Sequence, residues 1–394
     1  MKKIITLVIS FLLFPMITMA IPSEVTGRNI ILYNLNDNEI LYEQNSHDKV
    51  QIASLTKIMT TITALKSIND LNAKVTITSN DFLDTNGYSK AGFKIGEELT
   101  YLDLLYGIIL PSGIDAVNAV INNTLGYEEF INKMNDLAKE LKMKDTHFSN
   151  PVGKDDLENY SSAYDISLLL RYALDNPTFK EIFTTKEYIT TSGRKLERTI
   201  NYFKDKLNTE EFIGAKSGYT EQAGRCLASI TTLNDVNYLL VVIGSSTSDP
   251  SNGVKDSLLI YDYYKNNYGY QNIIDVDTYI KDVPVILSKK KNYSITGNEK
   301  IRMYLENNSN ITYKYEGVDK INYKTKKGSY LGKVNIYNND VLLTTSNLYL
   351  KDDIKYYPIE LFLIISIVII LGTIFIITTR RSKRLDKLIN ESVW

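Results

Sequence analysis

Hydrophobic residues along this chain follow three kinds of pattern, and each predicts a different element. From Asn29 to Glu43 the apolar positions run as NIILYNL and EILYE around Asn36-Asp37-Asn38, which predicts a hairpin closed by a tight turn. After a polar loop, apolar side chains fall at Leu55, Ile58, Met59, Ile62 and Leu65 with no Gly or Pro between them, so a helix is expected to begin near Ser54. Helical spacing returns over Thr100–Leu110, breaks at Pro111-Ser112-Gly113, and resumes over Asp115–Leu125. Further helices are expected at Tyr127–Leu141 and Asp165–Leu174, the second ended by Asn176-Pro177.

The period then shortens. GAKSGYT (214–220) precedes two β-rich runs, CLASITTL and VNYLLVVIGS, joined at Asn234-Asp235 as a hairpin, and a helix is expected over Val254–Tyr264. Strands at both ends of a helical middle predict an α+β domain with one antiparallel sheet joining early and late strands. From Asp275 onward short alternating runs are separated by Gly, Asn and Lys, predicting a separate small all-β domain over 272–352.

The two ends of the chain carry a third pattern. Leu361–Thr379 has no charged residue and is followed by Arg380-Arg381-Ser382-Lys383-Arg384. This predicts a transmembrane helix over 359–379 with a basic cytoplasmic tail, 380–394, and all residues before Tyr357 outside the cell membrane. Residues 1–20, with Lys2 and Lys3 ahead of an apolar run and small side chains at Thr18 and Ala20, read as a secretory signal peptide.

Composition narrows the field. The 45 basic and 46 acidic residues nearly balance, which argues against a nucleic-acid partner. Cys226 is the single cysteine, so an exported chain has no internal disulfide and must rely on its core. The two histidines, His47 and His147, are far apart and have no cysteine beside them, so neither a metal site nor an organic cofactor is expected.

Candidate chemistry starts at Ala53-Ser54-Leu55-Thr56-Lys57, where Ser54 and Lys57 share one helical face. A serine hydroxyl is a weak nucleophile that needs a base, and a lysine serves only when its amine is neutral. Burial and a second nearby cation both favour the neutral amine, and Lys216 is the natural second cation. A serine at the start of a helix also has main-chain N–H groups and a positive dipole end nearby, where an oxyanion would develop. Two more elements follow in order, Pro111-Ser112-Gly113 between helices and Lys216-Ser217-Gly218 on a strand before a hairpin.

With these three elements the sequence resembles the low-molecular-weight penicillin-binding proteins, the serine-type D-alanyl-D-alanine carboxypeptidases. Longer blocks carry the resemblance too, among them MKDTHFSNPVG, YSSAYDISLLLRYALDNPTFKEIFTTKEY and GAKSGYTEQAGRCLAS. The resemblance covers residues 24–268 and implies a DD-peptidase/β-lactamase-like domain there, an antiparallel sheet with a helical subdomain, ahead of a β domain and a C-terminal anchor. It implies that Ser54 attacks the penultimate D-alanine carbonyl of a peptidoglycan stem peptide ending in D-Ala-D-Ala, that Lys57 is the general base, and that Ser112 relays a proton to the leaving amine. Lys216 and Ser217 would hold the terminal carboxylate, and the N–H groups of Ser54 and Tyr219, which follows Gly218, would form the oxyanion hole. β-Lactam antibiotics would acylate Ser54.

Two positions depart from the family pattern. The middle motif usually reads S-x-N, and here Ile114 stands where that asparagine would hydrogen-bond the catalytic lysine and the substrate amide. Asn118, one turn later, is too far along to replace it fully. Ser217 stands where threonine is common and keeps the hydroxyl. Three alternatives therefore stay open: a catalytically impaired relative that binds stem peptides or partner proteins, a β-lactamase, and a D,D-endopeptidase. Elsewhere, His147 reads as a structural loop residue, His47 as solvated, Cys226 as a small buried hydrophobe, and Lys289-Lys290-Lys291 as an exposed turn with a weaker reading as a contact for anionic polymer or lipid.

Overall fold

The structure is a computed structural model that describes residues 21–355 and 358–391, so the expected signal peptide lies outside the described residues. In chain order its first part comprises β1 (Asn29–Asn34), β2 (Glu39–Gln44), α1 (Thr56–Ser67), β3 (Lys74–Thr76), β4 (Glu98–Thr100), α2 (Tyr101–Ile109) and α3 (Ile114–Asn122). Then come α4 (Tyr127–Glu140), α5 (Ala163–Leu174), α6 (Pro177–Thr184), β5 (Glu187–Ile189), β6 (Lys195–Glu197), β7 (Gly214–Thr220), β8 (Gly224–Leu233), β9 (Val236–Ser245) and α7 (Asn252–Asn267).

The continuous apolar run of β1 is buried along its whole length, as a central strand requires. It lies between β2 and β9 in an antiparallel sheet of order β2-β1-β9-β8-β7, so early and late strands share one sheet, as the sequence pattern predicts. Asn234 and Asp235 both take positive φ, the conformation that a two-residue hairpin turn between right-twisted strands demands. Alternation along β8 and β9 sorts side chains to two faces. Ala228, Ile230, Leu239 and Val241 join the core that also contains α1 to α6, whereas Ser229 Oγ meets Tyr261 Oη of α7 at 2.9 Å.

α1 is buried from Thr56 to Ala64, polar residues included. Most of its buried hydroxyls are satisfied internally: Thr61 Oγ1 donates to Lys57 O and Thr60 Oγ1 donates to Pro151 O, whereas Thr63 Oγ1 finds no partner among the described residues. One expectation needs correction: Asn176-Pro177 does end α5, but it also begins α6. Pro177 occupies the first turn, where its missing N–H costs nothing, and the Asn176 side chain accepts from Phe179 N at 3.0 Å.

The chain divides into two units after Asn267. The second contains β10 (Tyr268–Ile274), β11 (Tyr279–Ile286), β12 (Asn292–Thr296), β13 (Ile301–Glu306), β14 (Ile311–Gly317), β15 (Ile321–Asn322), β16 (Tyr330–Asn338), β17 (Val341–Tyr349) and the long helix α8 (Ile359–Glu391). Its strands form small sheets around a modest core including Val283, Ile295, Val334, Ile336 and Leu348. α8 contains the stretch Phe362–Leu388, long and apolar enough to cross a bilayer, whose uncharged part ends at the basic residues 380–384.

Candidate active site

The site is assembled where β7, an edge strand of the sheet, passes the start of α1. Ser54 lies in a single 3-10 turn, Ala53–Leu55, that leads into α1. Two glycines let other segments press against this turn. Gly153 has φ +81°, and a Cβ there would sit 1.9 Å from Ala53 O. Gly218 of β7 would bring a Cβ within 2.9 Å of Ser54 N. Any side chain at either place must push the backbone around Ser54 away.

One turn into the helix, Lys57 Nζ lies 3.0 Å from Ser54 Oγ and donates to Val152 O at 2.8 Å. The lysine is 1 % exposed. Burial lowers its pKa to about 7, against an opposing pull from the charge of Asp115. Asp115, at the start of α3, is itself engaged: its carboxylate accepts from Ala91 N (2.7 Å) and Gly92 N (2.9 Å), tying the preceding loop to the helix.

Lys216 comes from β7 and is fully buried. Its Nζ donates to Ser112 Oγ at 2.9 Å and to Ser217 O at 2.7 Å. Burial first, and the charge of Lys57 second, hold its pKa well below the ordinary lysine value. Ser112 sits between α2 and α3 with φ +63°, a left-handed conformation rare outside glycine that turns the hydroxyl toward Lys216. The Ser217 hydroxyl lies 2.6 Å from Thr199 Oγ1. Nearby, Arg198 donates to Thr209 O, Phe212 O and Asn201 Oδ1, which pins the segment that carries Thr199.

All seven residues expected from the motifs thus border one cleft of about 340 Å³: Ser54, Lys57, Ser112, Ser217, Gly218 and Tyr219 line it, and Lys216 reaches it through Ser112. Tyr88 and Tyr202 also line it, and Arg225 stacks its guanidinium 3.6 Å from the centre of the Tyr219 ring. Thr199, Val152 O and Gly153 are absent from the motif reading: Thr199 comes from a segment with no local signature, and Val152 and Gly153 close the MKDTHFSNPVG block, which names no site role. Ile114 lines the cleft as a buried apolar side chain. Asn118 does not stand in for the missing amide, because its Nδ2 donates to Asp81 O and Leu83 O, both at 3.1 Å.

The residues set aside earlier lie outside this constellation, apart from Cys226. His147 Nδ1 meets Glu158 O at 2.6 Å in a loop, and His47 is exposed beside Asp145 while its ring packs on Tyr164. Cys226 lines the cleft from a buried position that pushes its thiol pKa up to about 12, so it is no thiolate nucleophile at neutral pH. Among the described residues no three His, Cys, Asp or Glu side chains gather as a metal site.

Comparison with known proteins decides the family. The profile described as D-alanyl-D-alanine carboxypeptidase matches residues 16–247. The chain belongs to the D-alanyl-D-alanine carboxypeptidase family. It is therefore a serine-type hydrolase of the penicillin-binding, cell-wall class. The carboxypeptidase DacF of Bacillus subtilis is 27% identical over 336 residues, covering 84% of this chain and 86% of the relative. Penicillin-binding protein 5 of Haemophilus influenzae shares the fold with a TM-score of 0.61 at 23% identity, covering 86% of this chain and 100% of that one. The DD-transpeptidase of Streptomyces K15 matches with a TM-score of 0.56 at 28% identity, over 62% of this carboxypeptidase-family chain and 98% of its own.

Proposed function

We propose that this enzyme removes the terminal D-alanine from peptidoglycan stem peptides through an acyl-enzyme on Ser54. The observation that carries the reading is the 3.0 Å approach of Ser54 Oγ to an amine whose pKa is lowered to about 7. Near neutral pH a large share of Lys57 is unprotonated, so its lone pair can take the Ser54 proton as Oγ attacks the penultimate carbonyl. The tetrahedral oxyanion forms beside the N–H groups of Ser54 and Tyr219, which the close approach of Gly218 keeps adjacent. Protonated Lys57 gives up that proton, relayed through Ser112 to the leaving amine, so D-alanine departs and Lys57 is neutral again. Water, deprotonated by Lys57, then hydrolyses the ester.

Lys216 and Ser217 hold the terminal carboxylate in this reading. A bound carboxylate favours the charged form of Lys216, and that charge in turn favours neutral Lys57, so substrate arrival primes the base. Penicillin enters the same sequence because its strained amide presents the same carbonyl. The apolar stretch of α8 supports anchoring in the cell membrane, with residues 380–394 cytoplasmic and the catalytic unit outside.

Ile114 favours a second reading, an enzyme that acylates but turns over poorly, since no side-chain amide reaches Lys57 among the described residues. Fluorescent-penicillin labelling and D-alanine release from a D-Ala-D-Ala peptide, measured on the same sample with a Ser54→Ala control, separate the two. Ser54-dependent labelling with release establishes the carboxypeptidase. Labelling without release establishes the second reading, and absence of both overturns the assignment of Ser54.

A further inference from the structure

The lysine-rich turn that the catalytic reading leaves unused lies beside the route into α8. The β11–β12 turn, residues 287–291, is held to the end of the domain by two bonds to one carbonyl: Lys289 N and Ser288 Oγ both donate to Lys355 O, at 3.0 and 2.9 Å. A third segment joins them, because β15 runs parallel to the end of β11 and Tyr323 N donates to Ile286 O at 3.2 Å. Lys327 N is in turn tied to the Asp353 carboxylate at 2.9 Å. Segments 286–291, 322–327 and 350–355 therefore form one end of the β domain.

That end is strongly basic. Its three segments contain eight lysines against two acids, Asp352 and Asp353. Lys351 Nζ is turned to Thr296 Oγ1 at 2.7 Å, while Lys289, Lys290, Lys291, Lys324, Lys326 and Lys327 are exposed, as is Lys355. The domain's ion pairs lie elsewhere, at Lys281–Asp319 and Lys333–Glu316, and none of the exposed seven has one among the described residues. Ile286 and Leu287 stand out from the same turn, 43% and 51% exposed, with Leu287 at φ +60°. Exposed aliphatic side chains set among unpaired lysines suit the boundary between water and lipid.

Chain length limits how far this end can stand from the bilayer. From Lys355 to Ile359, where α8 begins, four residues span at most about 14 Å even when fully extended. Three helical residues later, about 4.5 Å on, the apolar stretch starts at Phe362. Lys355 therefore stands at most about 19 Å from the apolar stretch, against a headgroup layer several ångströms deep and a Debye length of about 8 Å at physiological salt, so all but the most extended connections bring this end within reach of the surface.

We propose that this end of the β domain is a membrane-surface contact, with the lysines on anionic phospholipid headgroups and Ile286-Leu287 at the headgroup boundary. The inference rests on α8 crossing the membrane. It gives the β domain a defined footing in place of a free tether.

The test uses the full chain in nanodiscs of phosphatidylcholine alone or with phosphatidylglycerol, footprinted with an amine-reactive label and read by mass spectrometry, with exposed Lys139 and Lys206 as internal references. Lysine attraction of about 1 kcal/mol each corresponds to roughly fivefold per residue, so labelling of Lys289–Lys291 should fall at least fivefold in the anionic discs and recover in 1 M salt. The triple variant K289Q/K290Q/K291Q should weaken the anionic-disc protection of Lys324, Lys326 and Lys327 with no change in melting temperature. Equal labelling in both discs overturns the proposal, as does protection seen only with a soluble poly(glycerol phosphate), which would make the partner a wall polymer. Hydrogen exchange across α8 in the same samples separates the premises: a freely exchanging α8 sinks the membrane span, whereas a protected α8 with unprotected lysines sinks the surface contact alone.

Discussion

Lysine is used in opposite ways in the two units. In the first, Lys57 and Lys216 are buried without a carboxylate in ion-pair contact, and burial pushes both amines toward the neutral form. In the second, Lys289, Lys290 and Lys291 are exposed and have no ion pair among the described residues. The same side chain is pushed toward a neutral amine in one environment and stands open to solvent contacts in the other. Solvation decides which, and solvation is a property of packing.

The sharpest way to break this contrast is to remove the buried amine. Lys57→Met should lower the rate of Ser54 acylation by about 10⁴, measured by the rate of penicillin labelling. It should also raise the melting temperature by roughly 2–4 °C for each kcal/mol recovered, because a buried amine held off its preferred charged form opposes folding. The pH dependence carries the sign. The folded pKa of Lys57 lies below its unfolded value, so between about 7 and about 10.4 the unfolded chain binds more protons and stability rises with pH. Lys57→Met should remove that slope, and the wild-type acylation rate should climb as pH rises through about 7. A wild-type rate that is flat from pH 6 to 8 would contradict a neutral-lysine base.

Ile114→Asn addresses the departure beside the same amine. A new hydrogen bond to Lys57 of about 1–3 kcal/mol would raise the turnover rate by roughly 5- to 150-fold, read as D-alanine release. Lower stability without any gain would mean that the amide finds no partner in this apolar position. A smaller effect is expected for Thr199→Val, which leaves the Ser217 hydroxyl without its 2.6 Å neighbour. Thr199 is a positioning residue, so KM should rise about fivefold with kcat little changed, in line with the loss of one hydrogen bond. Smallest of all, K289Q/K290Q/K291Q should leave kcat/KM on a soluble peptide within about twofold, because exposed charges are screened over a Debye length.

Much of the fold was legible in the pattern of residues because its signals are local. The NIILYNL and EILYE runs fold as β1 and β2, the Asn234-Asp235 turn joins β8 to β9, and the change of period after residue 200 marks the late strands. The small hairpins β3–β4 and β5–β6 have strands of three residues, too short for a period to register. α6 was hidden because Pro177 can end one helix or begin the next, and only the Asn176 cap separates the two. At the site, the motif residues were legible as residue types at a spacing. Thr199 and the carbonyl of Val152 were not, because neither position asks for a distinctive side chain.

By itself the sequence determined which groups are available: a serine and a lysine one helical turn apart, a second serine in a turn that breaks a helix, a lysine and a serine on a strand, and an apolar run long enough to span a bilayer. Local spacing settles those features because i to i+3 contacts and period-two alternation need no distant partner. Only the tertiary structure decided that Ser112 meets Lys216 across 104 residues of chain, that Val152 O receives Lys57, and that Asn118 is engaged elsewhere. The lowered pKa values belong to that second class, since they come from the exclusion of water by segments distant in sequence, and no stretch of chain carries that property alone.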